Sequence, residues 1–192
     1  MSFTPPVPES VAEIGQRIAD LRQELSDLRR SLPVEPVADY TLTGPDGPVT
    51  LSSLLADKPD LLVVHNMGRG CAYCTLWADG FSGLVDHLQD RAGFVVVSPD
   101  AVDIQAAFAK DRGWRFPMLS DADGAFTRDM GFVHGEHDYW PGVSAFRRTE
   151  DGGIVRTGSD VFGPGDVYNA PWHLFDLLQG GAGEWGPRFA YA

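Results

Sequence analysis

The sequence predicts an α/β fold: a three-layer sandwich in which helices cover both faces of a mixed central sheet, preceded by an N-terminal helical extension. Three observations predict it. Residues 61–67 and 94–98 are near-continuous apolar runs, the pattern of strands covered on both faces. A segment of helical character follows each run, so strand and helix alternate, which gives parallel strands. Further on, two strand-like runs at 142–148 and 153–157 flank Glu150-Asp151-Gly152, a hairpin signal that adds antiparallel strands.

The elements follow in order. Residues 1–37 form the extension. Its first eight residues are Pro-rich and predict a loose or extended start. Ser10 stands three residues before Glu13, which fits a capping box. Ile14, Ile18, Leu21, Leu25, Leu28 and Leu32 recur every three or four residues, so the spacing predicts an amphipathic helix of about six turns that ends at Pro33. Arg17, Asp20, Arg22, Glu24, Asp27, Arg29 and Arg30 form its polar face. The apolar stripe is expected to pack on its own domain or on the same helix of a second subunit. Because the helix precedes the domain, a homodimer through this helix is favoured.

The domain proper is placed at 38–180. A short strand is expected at 39–43, a turn at Gly44-Pro45-Asp46-Gly47, an extended piece at 49–51 and a short helix from Ser52. The buried strand at 61–67 leads into a helix reaching about Leu88, which Gly80 and Gly83 are expected to kink or split. The second buried strand precedes a helix at 102–112, an extended piece at 116–121 and a helix at 125–130 stopped by Gly131. After the hairpin, a helix at 169–178 closes the domain. Residues 181–192 form a tail without a clear pattern.

Composition excludes several functions. With 192 residues and 43% hydrophobic content the chain suits one domain plus an extension. Fifteen basic and 27 acidic residues give a net charge of −12, which repels phosphate backbones, so no nucleic-acid partner is expected. No apolar run approaches the roughly 20 residues that span a bilayer, and the N-terminus lacks the basic and apolar regions of a secretory signal. No membrane association and a cytoplasmic location are therefore expected. The chain carries neither a Rossmann fingerprint nor a P-loop, so no cofactor of its own is expected, and any nicotinamide or flavin belongs to a partner.

The chemistry concentrates at Cys71 and Cys74, the two cysteines of the chain, at the junction of a buried strand and a helix. A C-x-x-C pair in that setting is a redox signature. Free N–H groups at a helix N-terminus favour the thiolate, so Cys71 is the expected nucleophile, and Cys74, one turn on, the resolving thiol. A metal site on the same pair is the other reading, with zinc needing further His or carboxylate ligands; no metal is expected. His65, on the preceding strand, is either a proton shuttle for Cys74 or a core histidine. Trp77 either screens Cys74 from water or packs in the core. Asp79 is expected to bond locally at the Gly80 bend. Arg69 either stabilises the Cys71 thiolate by charge or lies exposed. His134-Gly135-Glu136-His137-Asp138 tempts a metal reading, but a solvated loop is expected there.

These motifs carry a resemblance. C-A-Y-C after a buried strand, F-P-M-L-S-D-A-D-G at 116–124, and the Asp-Gly turn with Leu-Ser-Ser-Leu in 40–54 resemble the thioredoxin fold in its peroxiredoxin-like form. G-C-A-Y-C-T-L-W-A-D-G-F and P-G-V-S-A-F further resemble the bacterial domain-of-unknown-function 899 family of predicted dithiol–disulfide oxidoreductases, over roughly residues 39–180. The resemblance implies a cis-proline at Pro141 facing the active cysteine, with Tyr139 and Trp140 lining a substrate groove. It implies a disulfide or thiol substrate, protein or small molecule, and an external reductant. An arginine reaching the site from a strand, Arg147 or Arg156, would follow the peroxiredoxin pattern. The chain departs from that pattern at Gly68, where peroxiredoxins place a Thr, and has no Pro between Leu61 and Cys71. It departs from thioredoxins at Gly70, where they place a Trp, and at His65, where they bury an Asp. Thiol–disulfide exchange is therefore the expected activity; the alternatives are a thiol peroxidase and a non-redox protein that holds a metal or other ligand.

Overall fold

A computed structural model of the chain describes residues 8–135 and 138–191. The chain divides into two compact units, Met1–Val34 and Glu35–Ala192. In the first, α1 spans Glu9–Ser31. It starts one residue before Ser10, under Pro8 as N-cap, and no side chain caps it, so the expected capping box does not form. Arg29 and Arg30 in the last turn complement the helix dipole. The helix ends where expected, because Pro33 disfavours helical geometry at the residue before it, and Leu32 is extended at ψ 146°. The apolar residues from Ile14 to Leu32 stay 44–62% exposed.

The second unit is built on one sheet of eight strands. They are β1 (Glu35–Val37), β2 (Thr41–Gly44), β3 (Gly47–Thr50), β4 (Asp60–His65), β5 (Gly93–Ser98), β6 (Met118–Ser120), β9 (Gly142–Arg148) and β10 (Ile154–Val161). Their order across the sheet is β1-β10-β9-β4-β5-β6-β2-β3. The three strands β4, β5 and β6 are parallel to one another, and the remaining pairs are antiparallel. This is the mixed sheet expected from alternation followed by a hairpin. Glu35–Val37, given to the extension by the sequence, pair with β10 and form an edge of the sheet. The connecting helices are α2 (Leu51–Leu54), α3 (Ala72–Arg91), α4 (Val102–Arg112), α5 (Ala125–Asp129) and α6 (Ala170–Phe175). A separate two-stranded ladder, β7 (Val133–His134) with β8 (Asp138–Tyr139), takes the place of the loop expected there. Glu136 and His137, singled out in that loop, lie outside the described residues.

Side chains alternate across β4, and this splits the interior into two cores. Leu61 and Val63 pack with Leu51, Leu55, Phe126, Phe132 and Phe146 on one face. Val64 packs with Trp77, Ala78, Phe81 and Val85 of α3 on the other. Helix α3 runs unbroken through Gly80 and Gly83, so the glycines do not split it. Tertiary burial of Trp77, Phe81 and Val85 outweighs the roughly 1 kcal/mol that each helical Gly costs.

Pro141 requires a correction as well. Every peptide bond among the described residues is trans, so Pro141 is not a cis-proline. The Trp140 N–H donates to the Phe132 carbonyl, and the Pro141 carbonyl accepts from the Phe162 N–H at 2.9 Å. The backbone thus enters β9 already paired and extended. Its next residue, Gly142, is held opposite His65 and Val161. A Cβ at 142 would run into the Phe132 ring and the Asp160 carbonyl. Gly142→Ala is therefore expected to lower stability by about 2–3 kcal/mol, read as a drop in the urea midpoint at unchanged slope.

Candidate functional site

The link between β4 and α3 is short and heavily bonded. Asn66 N–H donates to the Val97 carbonyl, extending the parallel pairing by one residue. The Asn66 side-chain oxygen accepts from Gly68 N–H at 2.8 Å, and Asp100 Oδ2 accepts from Arg69 N–H at 2.6 Å. Gly68 has φ +97°, and a Cβ there would meet the Asp100 carboxylate at 3.0 Å. Both conditions select glycine. The chain then turns into α3 with Cys71 as the N-cap residue. Cys71 Sγ accepts from Cys74 N–H at 3.1 Å, and the Cys71 carbonyl accepts from the Thr75 N–H and hydroxyl. A cysteine sulfur thus performs the task usually given to a Ser, Thr or Asp oxygen.

The two sulfurs are both free thiols, and their surroundings drive them apart. The Cys71 thiol is lowered to about 6, first by a hydrogen bond from the Cys74 side chain and then by the Cys74 and Tyr73 amides, against the opposing effect of burial. Cys74 is only 2% exposed, and its thiol is raised, because it donates that same bond and because burial disfavours its charge. These surroundings favour the thiolate at half-buried Cys71 and the neutral thiol at buried Cys74. Met67 N–H lies 3.5 Å from Cys74 Sγ.

The other candidate residues fall in different places. His65 is 1% exposed and shares the face of the sheet opposite α3. Its ring stacks on Phe132 at 4.1 Å and Phe126 at 5.4 Å, and Nε2 is paired with the Ser144 hydroxyl at 2.9 Å. Its pKa is lowered to about 3, by burial first and then by the positive charge of Arg156. Its contacts include Phe126, Phe132 and Ser144, in the core on the face opposite α3. Trp77 is 2% exposed and packs on Phe162 and Tyr73, which makes it core rather than groove. Arg69 is exposed and held through its backbone. Trp140 is 44% exposed, with His134 against its ring edge-on. Pro141 precedes the residue paired with His65, so it lies at the end of the sheet where the dithiol loop begins. Arg147 pairs with Asp60, and Arg156 with Glu35 and the Met130 carbonyl; neither is directed at Cys71. Asp79 accepts from Arg112 and from Trp114 Nε1 rather than bonding at Gly80. Among the described residues, no three His, Cys, Asp or Glu side chains are grouped so as to hold a metal, and no helix is long and apolar enough to cross a membrane.

A family model described as bacterial protein of unknown function (DUF899) matches residues 13–190. The chain is a member of the DUF899 family. Two Mycobacterium tuberculosis proteins, from strains CDC 1551 and H37Rv, carry provisional peroxiredoxin names and are 37% identical to this DUF899 chain over 101 residues. That match takes in 52% of this chain and 65% of the length of those relatives. The crystal structure of peroxidoxin BcpB from Mycobacterium tuberculosis superimposes with a TM-score of 0.55 at 27% identity, over 71% of this chain and 88% of that one. A peroxiredoxin Q of Xanthomonas campestris superimposes with a TM-score of 0.57 at 19% identity, over 69% and 87% of the respective chains. The fold of the DUF899 protein is thioredoxin-like in its peroxiredoxin-like form.

The DUF899 site also holds residues that sequence reasoning missed. Tyr73, between the cysteines, stacks on Trp172 of α6 with ring centroids 6.3 Å apart, and Trp185 packs edge-on against Trp172. Together they form an aromatic wall at the start of α3. The only sequence signal for it was the density of aromatics in 168–185. Asp100 and Asn66 gave no signal, because their role is to bind loop amides.

Two outcomes follow from these environments. Alkylation of Cys71 by iodoacetamide should rise with pH around a midpoint near 6, and Cys74→Ala should move that midpoint toward the ordinary thiol value of about 8.5. For His65 the native state refuses a proton that the unfolded chain accepts below about pH 6.5, so stability falls as pH falls. Between about pH 6.5 and 5 this residue should remove about 1–2 kcal/mol, and His65→Phe should flatten that part of the pH–stability curve while leaving the Cys71 alkylation midpoint in place.

Proposed function

We propose that this DUF899 protein is a thiol–disulfide oxidoreductase whose nucleophile is Cys71 and whose resolving residue is Cys74. The observation that carries this reading is the placement of the two sulfurs: Cys71 Sγ caps α3 and accepts the Cys74 N–H at 3.1 Å, with the buried Cys74 one helical turn on. The Cys71 thiolate attacks one sulfur of a substrate disulfide, forming a mixed disulfide and releasing the other sulfur as a thiolate. Cys74 then passes its proton to the substrate thiolate already released and attacks Cys71 Sγ. This closes the Cys71–Cys74 disulfide and releases the second substrate sulfur as a thiolate. An external dithiol restores the reduced pair, a cycle suited to a reducing compartment such as the cytoplasm. His65 is assigned to packing and Trp77 to the core. Arg69, exposed beside Cys71, and Trp140 with Pro141 at the same end of the sheet are assigned to substrate contact.

A thiol peroxidase is the second reading, favoured by the peroxiredoxin names of the relatives. Two features weigh against it. Position 68, where peroxiredoxins carry a threonine hydroxyl, is restricted to glycine by its φ and by Asp100. Arg147 and Arg156 are both engaged elsewhere.

Reduction of insulin disulfides by an added dithiol tests the proposal. Cys71→Ser should lower the rate to the uncatalysed level, and Cys74→Ser should trap a mixed disulfide at Cys71 visible by mass. Equal activity in all three proteins removes the reading. Rapid oxidation of reduced protein by micromolar peroxide, without insulin reduction, replaces it with the peroxidase.

A further inference from the structure

We infer that α1 pairs with α1 of a second copy of this chain as an antiparallel coiled coil. The stripe opens one step earlier than the repeat first suggests, with Val11. From there Val11, Ile14, Ile18, Leu21, Leu25, Leu28 and Leu32 alternate by three and four, an unbroken a/d repeat over three heptads. All seven are exposed, and α1 has no buried residue. The occupant is read from two further features of the same helix.

The first is side-chain shape. The β-branched residues Val11, Ile14 and Ile18 occupy the N-terminal half, and Leu21, Leu25 and Leu28 the C-terminal half. An antiparallel pair centred between Ala19 and Asp20, close to the middle of Glu9–Ser31, stacks Val11 on the second copy's Leu28, Ile14 on its Leu25 and Ile18 on its Leu21. Each of these layers joins a β-branched side chain to a leucine, with Leu32, the C-cap of α1, outside them, and the whole helix overlaps its mate. A parallel pair stacks like on like and leaves one end wider than the other.

The second is charge. Arg17, Glu24, Arg22 and Arg29 flank the stripe, with Gly15 beside Arg22 on one edge. In the antiparallel register Arg17 of each copy faces Glu24 of the other, twice over, and Arg22 faces Gly15. In the parallel register Arg17 faces Arg22 of the other copy, and that repulsion offsets the attraction of Glu24 to Arg29. The helix dipoles also oppose favourably only in the antiparallel arrangement.

Sedimentation of the full chain under reducing conditions tests the inference, since it excludes dimers joined through Cys71 or Cys74. A reversible dimer is expected. Arg17→Glu sets a carboxylate against Glu24 of the other copy at both ends and should raise the dimer Kd by about tenfold; adding Glu24→Arg should restore it to near the original value. Both positions are exposed, so neither change threatens folding. A monomer at all concentrations overturns the inference. So does a dimer indifferent to Arg17→Glu, which would use another surface. Tighter association of Arg17→Glu would identify the parallel arrangement and overturn the antiparallel one.

Discussion

The dithiol depends on the tightness of the turn between β4 and α3. Asn66 is tied to β5, Gly68 bends through a left-handed conformation beneath Asp100, and Arg69 is held by the same carboxylate. This leaves Cys71 as the residue that caps the helix. Once it does so, its sulfur faces an amide that the helix leaves unsatisfied, and the helical repeat brings Cys74 round to the same side but beneath it. Two chemically identical side chains thus acquire opposite protonation from position alone. One accepts hydrogen bonds at the mouth of a helix; the other donates one from a dry interior.

The sheet acts as a partition. Alternation along β4 sends Val64 towards α3 and His65 towards Phe126 and Phe132, so adjacent residues belong to different cores. Burying His65 is tolerable only because it stays neutral and shares a hydrogen bond with Ser144; its Nδ1 has no partner among the described residues. At the same end of the sheet the backbone closes in on itself at Gly142, with the Phe132 ring and the Asp160 carbonyl filling the space of a side chain. Tyr73, between the two cysteines, stacks on Trp172, which in turn packs against Trp185.

The N-terminal helix contrasts with the helices of the second unit. There apolar positions are covered by the element they face, as Trp77, Phe81 and Val85 of α3 are by the sheet. Along α1 a regular apolar stripe remains in contact with solvent while its polar side is laced by local pairs such as Gln16 with Asp20 and Arg30 with Asp27. Pairs of that kind are worth only a few tenths of a kcal/mol each. A helix of this length draws its stability chiefly from covering an apolar face.

Sequence by itself determined the elements whose signal is local. The apolar runs of β4 and β5, the hairpin at Asp151-Gly152, the Pro33 stop and the cysteine pair at a strand–helix junction are all readable from neighbours in the chain. Tertiary structure alone decided what depends on residues far apart. It turned His65 towards Phe126 and Phe132 while its neighbour Val64 faces α3, because a period of two separates residues that adjoin in sequence. It kept α3 continuous through two glycines, because packing against the sheet outweighs propensity. It left the Trp140–Pro141 bond trans, the ordinary X–Pro state, with the backbone paired to Phe132 and Phe162 on either side. It chose Gly68 through Asp100, a residue beyond the far end of the next strand. Local patterns record which face a residue seeks; only the assembled sheet determines what is waiting on that face.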